Sequence, residues 1–183
     1  AMTALKYQVF EQRACTMEAM LAALTHNFEG DEPLRQRLVN KTPKFGNDDD
    51  YVDLFAREVH IRTCKTIHQF KTIYGYNVQS DGSGSASYFS FSGLTGATPD
   101  GRRDREVFSD GTVSPLPGPD KKGPTAVLKS VAKIDPLLNF NHLFNQRWMP
   151  EFLEGDNRSK FVAYLRTFVD LGIHHIQGNV IDD

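Results

Sequence analysis

"SKFVAYLRTFVDLGIHHIQGNV", Ser159 to Val180, decides the fold class of this chain. Phe161, Tyr164, Leu165 and Phe168 recur at helical spacing on one face, so a helix is expected from about Ser159 to Leu171. Gly172 stops it, glycine being favoured just past a helix C-terminus. The period then changes to two, and a strand is expected from Ile173 to Ile181. On that strand His175, Gln177 and Asn179 share one face, while His174, Ile176, Gly178 and Val180 share the other. Buried amides need partners, and inward groups near strand ends of an α/β barrel often meet substrate. A satisfied core network, or a sheet edge facing water, explains the same row equally well.

Working outward, a second strand is expected from Asn141 to Met149, with Gln146 and Trp148 on one face and Asn145 and Arg147 on the other. Between the two strands lies the helix just described; before them, a helix is expected from Pro124 to about Lys133. Upstream, Met17, Leu21, Leu24 and Phe28 mark an amphipathic helix that stops near Gly30. A short helix follows Pro33, carrying Leu34 and Leu38 to Asn40. A longer one, capped by Asn47 or Asp48, is expected to run to Ile73. Ser80 to Ser92 reads as a turn and a short strand, and Gly93 to Gly123 as a long irregular loop of the kind compact domains keep for a functional reason.

The chain therefore reads as one segment in three stretches: 1–75 mainly helical, 76–123 a strand plus the Gly/Pro/Asp loop, and 124–183 alternating helix and strand. Alternation argues for an α/β architecture with parallel strands. Three or so strands and five helices close neither a barrel nor an ordinary doubly wound sheet, so a segment of something larger is expected.

Composition narrows the function classes. With 183 residues, 39% hydrophobic, the chain can bury a core. Against 21 Lys+Arg stand 23 Asp+Glu, a net charge of -2, so no basic excess invites nucleic acid, and Arg102, Arg103 and Arg105 read as a solvated loop. No apolar run is long enough for a bilayer span and no signal-peptide order opens the chain, which predicts a cytoplasmic protein without membrane association. Cys15 and Cys64 are too few for a disulfide scaffold.

Several chemical motifs can be weighed. Gly118, just before "DKKGPTAVLKSVAK", and Gly123 within it have the outer spacing of a phosphate loop, yet Pro124-Thr125 stands where Lys-Ser/Thr is required, so a tight turn feeding a helix is favoured. Asp48, Asp49 and Asp50 are consecutive, whereas calcium loops alternate their ligands; helix capping explains them better. His60, Cys64 and His68 lie four apart on one helix and could point together at a metal such as zinc, although a partly buried helix edge beside Val52, Phe55 and Val59 accounts for them too. His174 and His175, adjacent on a strand, are expected to face opposite ways.

Taken together, "NFEG", "PKFGNDDDYVD", "TGATPDGRR", "SDGTVSP", "DKKGPTAVLKSVAK", "LFNQR" and "HHIQGNV" occur in the order and spacing of the glycyl radical enzymes, and the chain resembles that pyruvate formate-lyase superfamily from about Lys6 to Asp183. The loop wording is more similar to the dehydratase, decarboxylase and arylsuccinate synthase branches than to formate-lyase itself. The resemblance implies a helix-rich part of a ten-stranded α/β barrel, C-terminal in the barrel domain, and anaerobic radical lyase chemistry on a small organic substrate: dehydration, decarboxylation, C–C or C–N cleavage, or addition to fumarate. It also implies a glycyl radical installed by a separate S-adenosylmethionine-dependent iron-sulfur activating enzyme, with no cofactor bound directly. Gln177 and Asn179 match the family motif and, with Gln146, are expected to line the substrate chamber.

Two family motifs find no match. The thiyl cysteine sits in a Gly-Cys-x-Glu-Pro-like loop, unlike "RACTM" around Cys15 or "IRTCKT" around Cys64, both placed in helices. The radical glycine sits in an Arg-Val-x-Gly-aromatic loop, and this sequence reaches only "QGNVIDD". Gly178 stands where the family usually has a bulky residue and should not be mistaken for the radical site. The chain alone is therefore expected to be inactive. One alternative is a non-catalytic assembly protein or split-enzyme subunit whose partner supplies the missing barrel; another is a metal-binding module through His60, Cys64 and His68. An isolated barrel segment would leave open strand edges and is expected to self-associate unless covered.

Overall fold

The computed structural model describes residues 1–84 and 86–181 and divides into two compact units. The first joins Ala1–Lys44 to Ala86–Phe108; the second joins Phe45–Ser85 to Ser109–Asp183.

In the first unit a helical turn, Met2–Ala4, runs into a π-helix, Leu5–Glu11, followed by α1 (Met17–Thr25) and α2 (Glu32–Asn40). Thr16 caps α1 by accepting from the Ala19 amide at 3.2 Å. Ala4, Val9, Met20, Ala23, Phe28 and Leu38 form the core. Gln8, fully buried, donates to Lys41 O at 3.2 Å and Thr42 Oγ1 at 3.1 Å and accepts from Arg37 Nε at 2.9 Å, so its amide is satisfied. Cys15 lies in a bend before α1, not in a helix, because the π-helix has already ended.

The "TGATPDGRR" stretch folds around a buried guanidinium rather than a solvated basic patch. Arg102, 3% exposed, donates to the carbonyls of Thr95 (2.9 Å), Gly96 (2.5 Å) and Glu106 (2.5 Å) and lies 4.0 Å over the Phe108 ring. Arg103 pairs with Glu32 at 2.7 Å. Gly101 has φ +94°, and a Cβ there would sit 2.5 Å from Val39 Cγ2, so glycine alone lets the loop reach α2.

In the second unit α3 spans Asp50–Ile67. Its cap is Asp49, whose carboxylate accepts from the Tyr51 amide at 3.0 Å, not Asn47 or Asp48. The helix stops six residues before Ile73 because Lys71 and Asn77 pair antiparallel around a tight turn, with Thr72 N donating to Tyr76 O at 2.9 Å. Instead of a short strand, the described residues of 80–92 contain one bridge, Gly82 to His142, and a helical turn, Ser87–Ser90, which belongs to the first unit.

Helix α4 (Pro124–Ala132) starts after Gly123, as the proline signals. Strand β1 (Asn145–Trp148), helix α5 (Asn157–Asp170) and strand β2 (Gln177–Val180) follow. Both strands are shorter than the alternation predicts, because only these residues find a ladder partner; they form a two-stranded parallel sheet. Val113, Val127, Leu128, Val131, Ile134, Phe144, Trp148 and Tyr164 make the core beneath it. Leu165, placed on the apolar face of α5, is 37% exposed.

An ion cluster around one buried carboxylate, that of Asp53, ties α3 to α4. Lys133 Nζ lies 2.9 Å from Asp48, 2.7 Å from Asp50 and 2.9 Å from Asp53, and Ser130 Oγ donates to Asp53 at 2.9 Å. Asp53 is wholly buried, and burial pushes its carboxyl above the usual range against the hydrogen bonds from Lys133 and Ser130. Burial opposes the Lys133 ammonium too, but hydrogen bonds to Asp50, Asp48 and Asp53 hold it above its ordinary value. The aspartate run thus serves as cap and counter-charge. Among the described residues no helix is long and apolar enough to cross a membrane.

Candidate functional site: a polar row on a parallel strand pair

The register of the sheet sorts the candidate residues. Asn145 pairs with Gln177, Gln146 with Gly178, Arg147 with Asn179, and Trp148 with Val180. Partners in a parallel pair share a face, so Asn145, Arg147, Gln177 and Asn179 lie together and Gln146, Trp148, Gly178 and Val180 lie opposite. Gln177 Nε2 donates to Asn179 Oδ1 at 3.0 Å, as their common face requires. The structure therefore brings Gln177 and Asn179 together and places Gln146 on the other face. Sequence alternation could not reveal this, since it says which residues of one strand agree but not how two strands are aligned.

The opposite face is aromatic. Trp148 meets Tyr164 at 4.6 Å, Phe161 at 5.2 Å and Phe152 at 6.0 Å, all edge-on. Gly178 lies across from the indole, and a Cβ there would be 3.7 Å from Trp148 Cδ1, ordinary contact distance. The Tyr164 hydroxyl is buried without a hydrogen-bond partner, and burial raises its pKa.

Beside β1, away from β2, opens a cavity of ≈ 200 Å³ lined by Asp110, Ser114, Asp120, Asn145, Gln146 and Arg147 among others. Asn145 Nδ2 donates to Asp110 at 2.7 Å and its amide to Ser114 Oγ at 2.8 Å. Asn145 Oδ1 and Gln146 Oε1 are buried acceptors without partners. Asp110 and Ser114 come from "SDGTVSP", a loop whose glycines and prolines signalled function but not which strand it would flank.

The metal candidates separate. His60 Nε2 donates to Asp135 O at 3.2 Å, and Cys64 Sγ is 3.7 Å from the same ring. His68 Nε2 instead accepts from the Ser80 amide at 3.3 Å, while Ser80 Oγ donates to Leu138 O at 3.1 Å. Among the described residues no three His, Cys, Asp or Glu side chains are grouped as a metal site. His174 and His175 precede β2 rather than standing within it, and both line one cavity. His142, which no spacing singled out, packs between His60 and His174.

Comparison with known proteins agrees with this frame. Residues 1–91 match the family described as "Pyruvate formate lyase-like" and residues 109–183 the one described as "Glycine radical". The chain is 38% identical over its full length to trans-4-hydroxy-L-proline dehydratase of Clostridioides difficile, of which it covers 23%. It is 34% identical to isethionate sulfite-lyase of Nitratidesulfovibrio vulgaris, covering 22% of that enzyme. Among solved structures, hydroxyproline dehydratase from Clostridioides difficile superposes with a TM-score of 0.92 at 37% identity, and the B12-independent glycerol dehydratase from Clostridium butyricum with 0.91 at 38%. Each match covers 98% of this chain and 23% of the other, so the chain spans about a quarter of its relatives' length. With both family descriptions matched and the helix-rich barrel segment superposing on these lyases, the chain belongs to the glycyl radical enzymes.

Proposed function

We propose that this chain is the substrate-chamber wall of a glycyl radical lyase, cytoplasmic and anaerobic, acting on a small polar organic molecule. The observation that carries the reading is the division of the β1–β2 pair into a polar face and an aromatic face packed on α5. A strand pair backed by helices on one side presents its other side to a barrel interior. There Gln177 and Asn179 hold amides able to donate to and accept from a hydroxyl, carboxylate or sulfonate, and Arg147 shares their face. Gln146 contributes from the adjoining cavity. Their work is to bind and orient the substrate and exclude water.

The chemistry would be dehydration, decarboxylation or another C–C or C–heteroatom cleavage begun by hydrogen-atom abstraction. A glycyl radical, installed by an S-adenosylmethionine-dependent iron-sulfur activating enzyme, would supply it. Because the thiyl-cysteine and radical-glycine motifs have no match in this sequence, the chain by itself is proposed to be inert and to act with polypeptide supplying the rest of the barrel. Its exposed apolar side chains support that reading: Ile73 and Leu137 are 92% exposed and Phe140 81%.

The test is anaerobic incubation of the chain with activating enzyme and S-adenosylmethionine, followed by electron paramagnetic resonance and turnover assays with trans-4-hydroxy-L-proline, isethionate and glycerol. Neither radical nor product is expected from the chain alone, and turnover by it would sink the reading. In an active assembly containing the chain, Asn179→Leu should raise KM more than it lowers kcat. An unchanged KM would remove the polar row from the chamber.

A further inference from the structure

Three imidazoles meet where β2 begins. His142 is 5% exposed, and its ring lies 4.8 Å from that of His60, edge-on, and 5.7 Å from that of His174, stacked. His60 comes from the middle of α3; His174 comes from the segment joining α5 to β2. The stack therefore fastens the approach of β2 to the long helix through a ring that belongs to neither. His142 Nε2 and His175 Nε2 are both buried without partners, and both residues line a cavity of ≈ 40 Å³ whose other walls include Val113, Ile134 and Phe144.

The surroundings disfavour charge on the His142 ring. From α3 come His60 and Cys64; from the segment before β2, His174 and His175; from the turn after α4, Asp135, whose carboxylate is engaged with the Leu137 amide at 3.0 Å. Residue 81, next to the Gly82 bridge, turns its carboxylate onto Ser83. On the α4 side Val131 and Ala132 line the cavity, and Lys133 is committed to its aspartates. Burial, then His60 and His174, push His142 down to about 4, with Asp135 alone pulling the other way.

We propose that the His60–His142–His174 cluster is an acid-sensitive clasp: with His142 neutral it holds the lead-in to β2 against α3, and with His142 protonated it releases β2 and the polar row that β2 carries. Release follows because a charge on His142 would sit buried between two other imidazoles with no unengaged carboxylate beside it.

Trp148 is the sole tryptophan and sits on β1 in register with β2, so its fluorescence reports the strand pair. The chain would be titrated from about pH 7.5 to about pH 3.5, past the value of about 4 to which His142 is pushed, with far-ultraviolet circular dichroism read alongside. The expected result is a red shift of Trp148 emission while helical signal persists, with the shift at least halved in His142→Phe. His174→Gln, at an exposed site, gives a second variant that should weaken the response if the first fails to fold. An unchanged emission, an equal shift in both variants, or loss of helix together with the emission change would each overturn the clasp.

Discussion

Replacing Lys133 by methionine isolates one buried charge. The wild-type ammonium touches three carboxylates, but they depend on it unequally. Asp50 is 74% exposed and returns to water, and Asp48 keeps Lys129 at 3.3 Å. Asp53 is wholly buried, has one oxygen already without a partner, and retains only Ser130 Oγ at 2.9 Å. Removing one member of a buried pair typically costs about 3–5 kcal/mol, because the other charge is left uncompensated. The retained serine and the sulfur chain filling the lysine stem place Lys133→Met near the lower end, about 3 kcal/mol. For a chain of this size that is a fall in Tm of roughly 6–12 °C, measurable by thermal unfolding at neutral pH.

A pH arm and a second variant make the result specific. Burial already raises the Asp53 carboxyl, so its protonated form is favoured on folding, and this group's contribution to stability falls as pH rises through that raised range. Without Lys133 the effect should grow, and the deficit of Lys133→Met should shrink on acidification. Adding Asp53→Asn should recover most of the loss at neutral pH, since a neutral amide needs no cation. A loss below about 1 kcal/mol, or no recovery in the double variant, would refute the assignment of Asp53 as the dependent charge.

Other substitutions follow from single contacts. Tyr164→Phe deletes a buried hydroxyl without a partner and should be neutral or stabilising by up to about 1 kcal/mol in urea unfolding; a clear loss would mean the hydroxyl is satisfied. Gly101→Ala forces a Cβ against Val39 at positive φ and should cost about 1–3 kcal/mol, whereas Gly178→Ala meets Trp148 at contact distance and should change stability by about 0.5 kcal/mol or less; equal effects would contradict the stated geometry. With His142 pushed down from 6.5 to about 4, the unfolded chain takes the proton first. Stability is present in full above 6.5 and is lost as pH falls toward 4, by roughly 3 kcal/mol in the limit, and this slope should be missing from His142→Phe.

The sequence by itself determined the helices of the second half, the turn before Pro124 and the family, because these rest on local signals: apolar spacing, proline at a first helical position, glycine past a last one, and motifs read in order. It also set which residues of each strand share a face. Only the tertiary structure decided that Gln146 parts from Gln177 and Asn179, because the alignment of two strands separated by a whole helix depends on pairing that no local pattern encodes. Arg102 was misread as solvated for the same reason: its partners are carbonyls of its own loop, which converge only once the loop closes on Gly101. The Lys133 cluster and the His142 stack likewise join side chains about eighty residues apart, such as His60 with His142. Burial, which assigns each of them its role, is a property of the folded chain and not of its spacing.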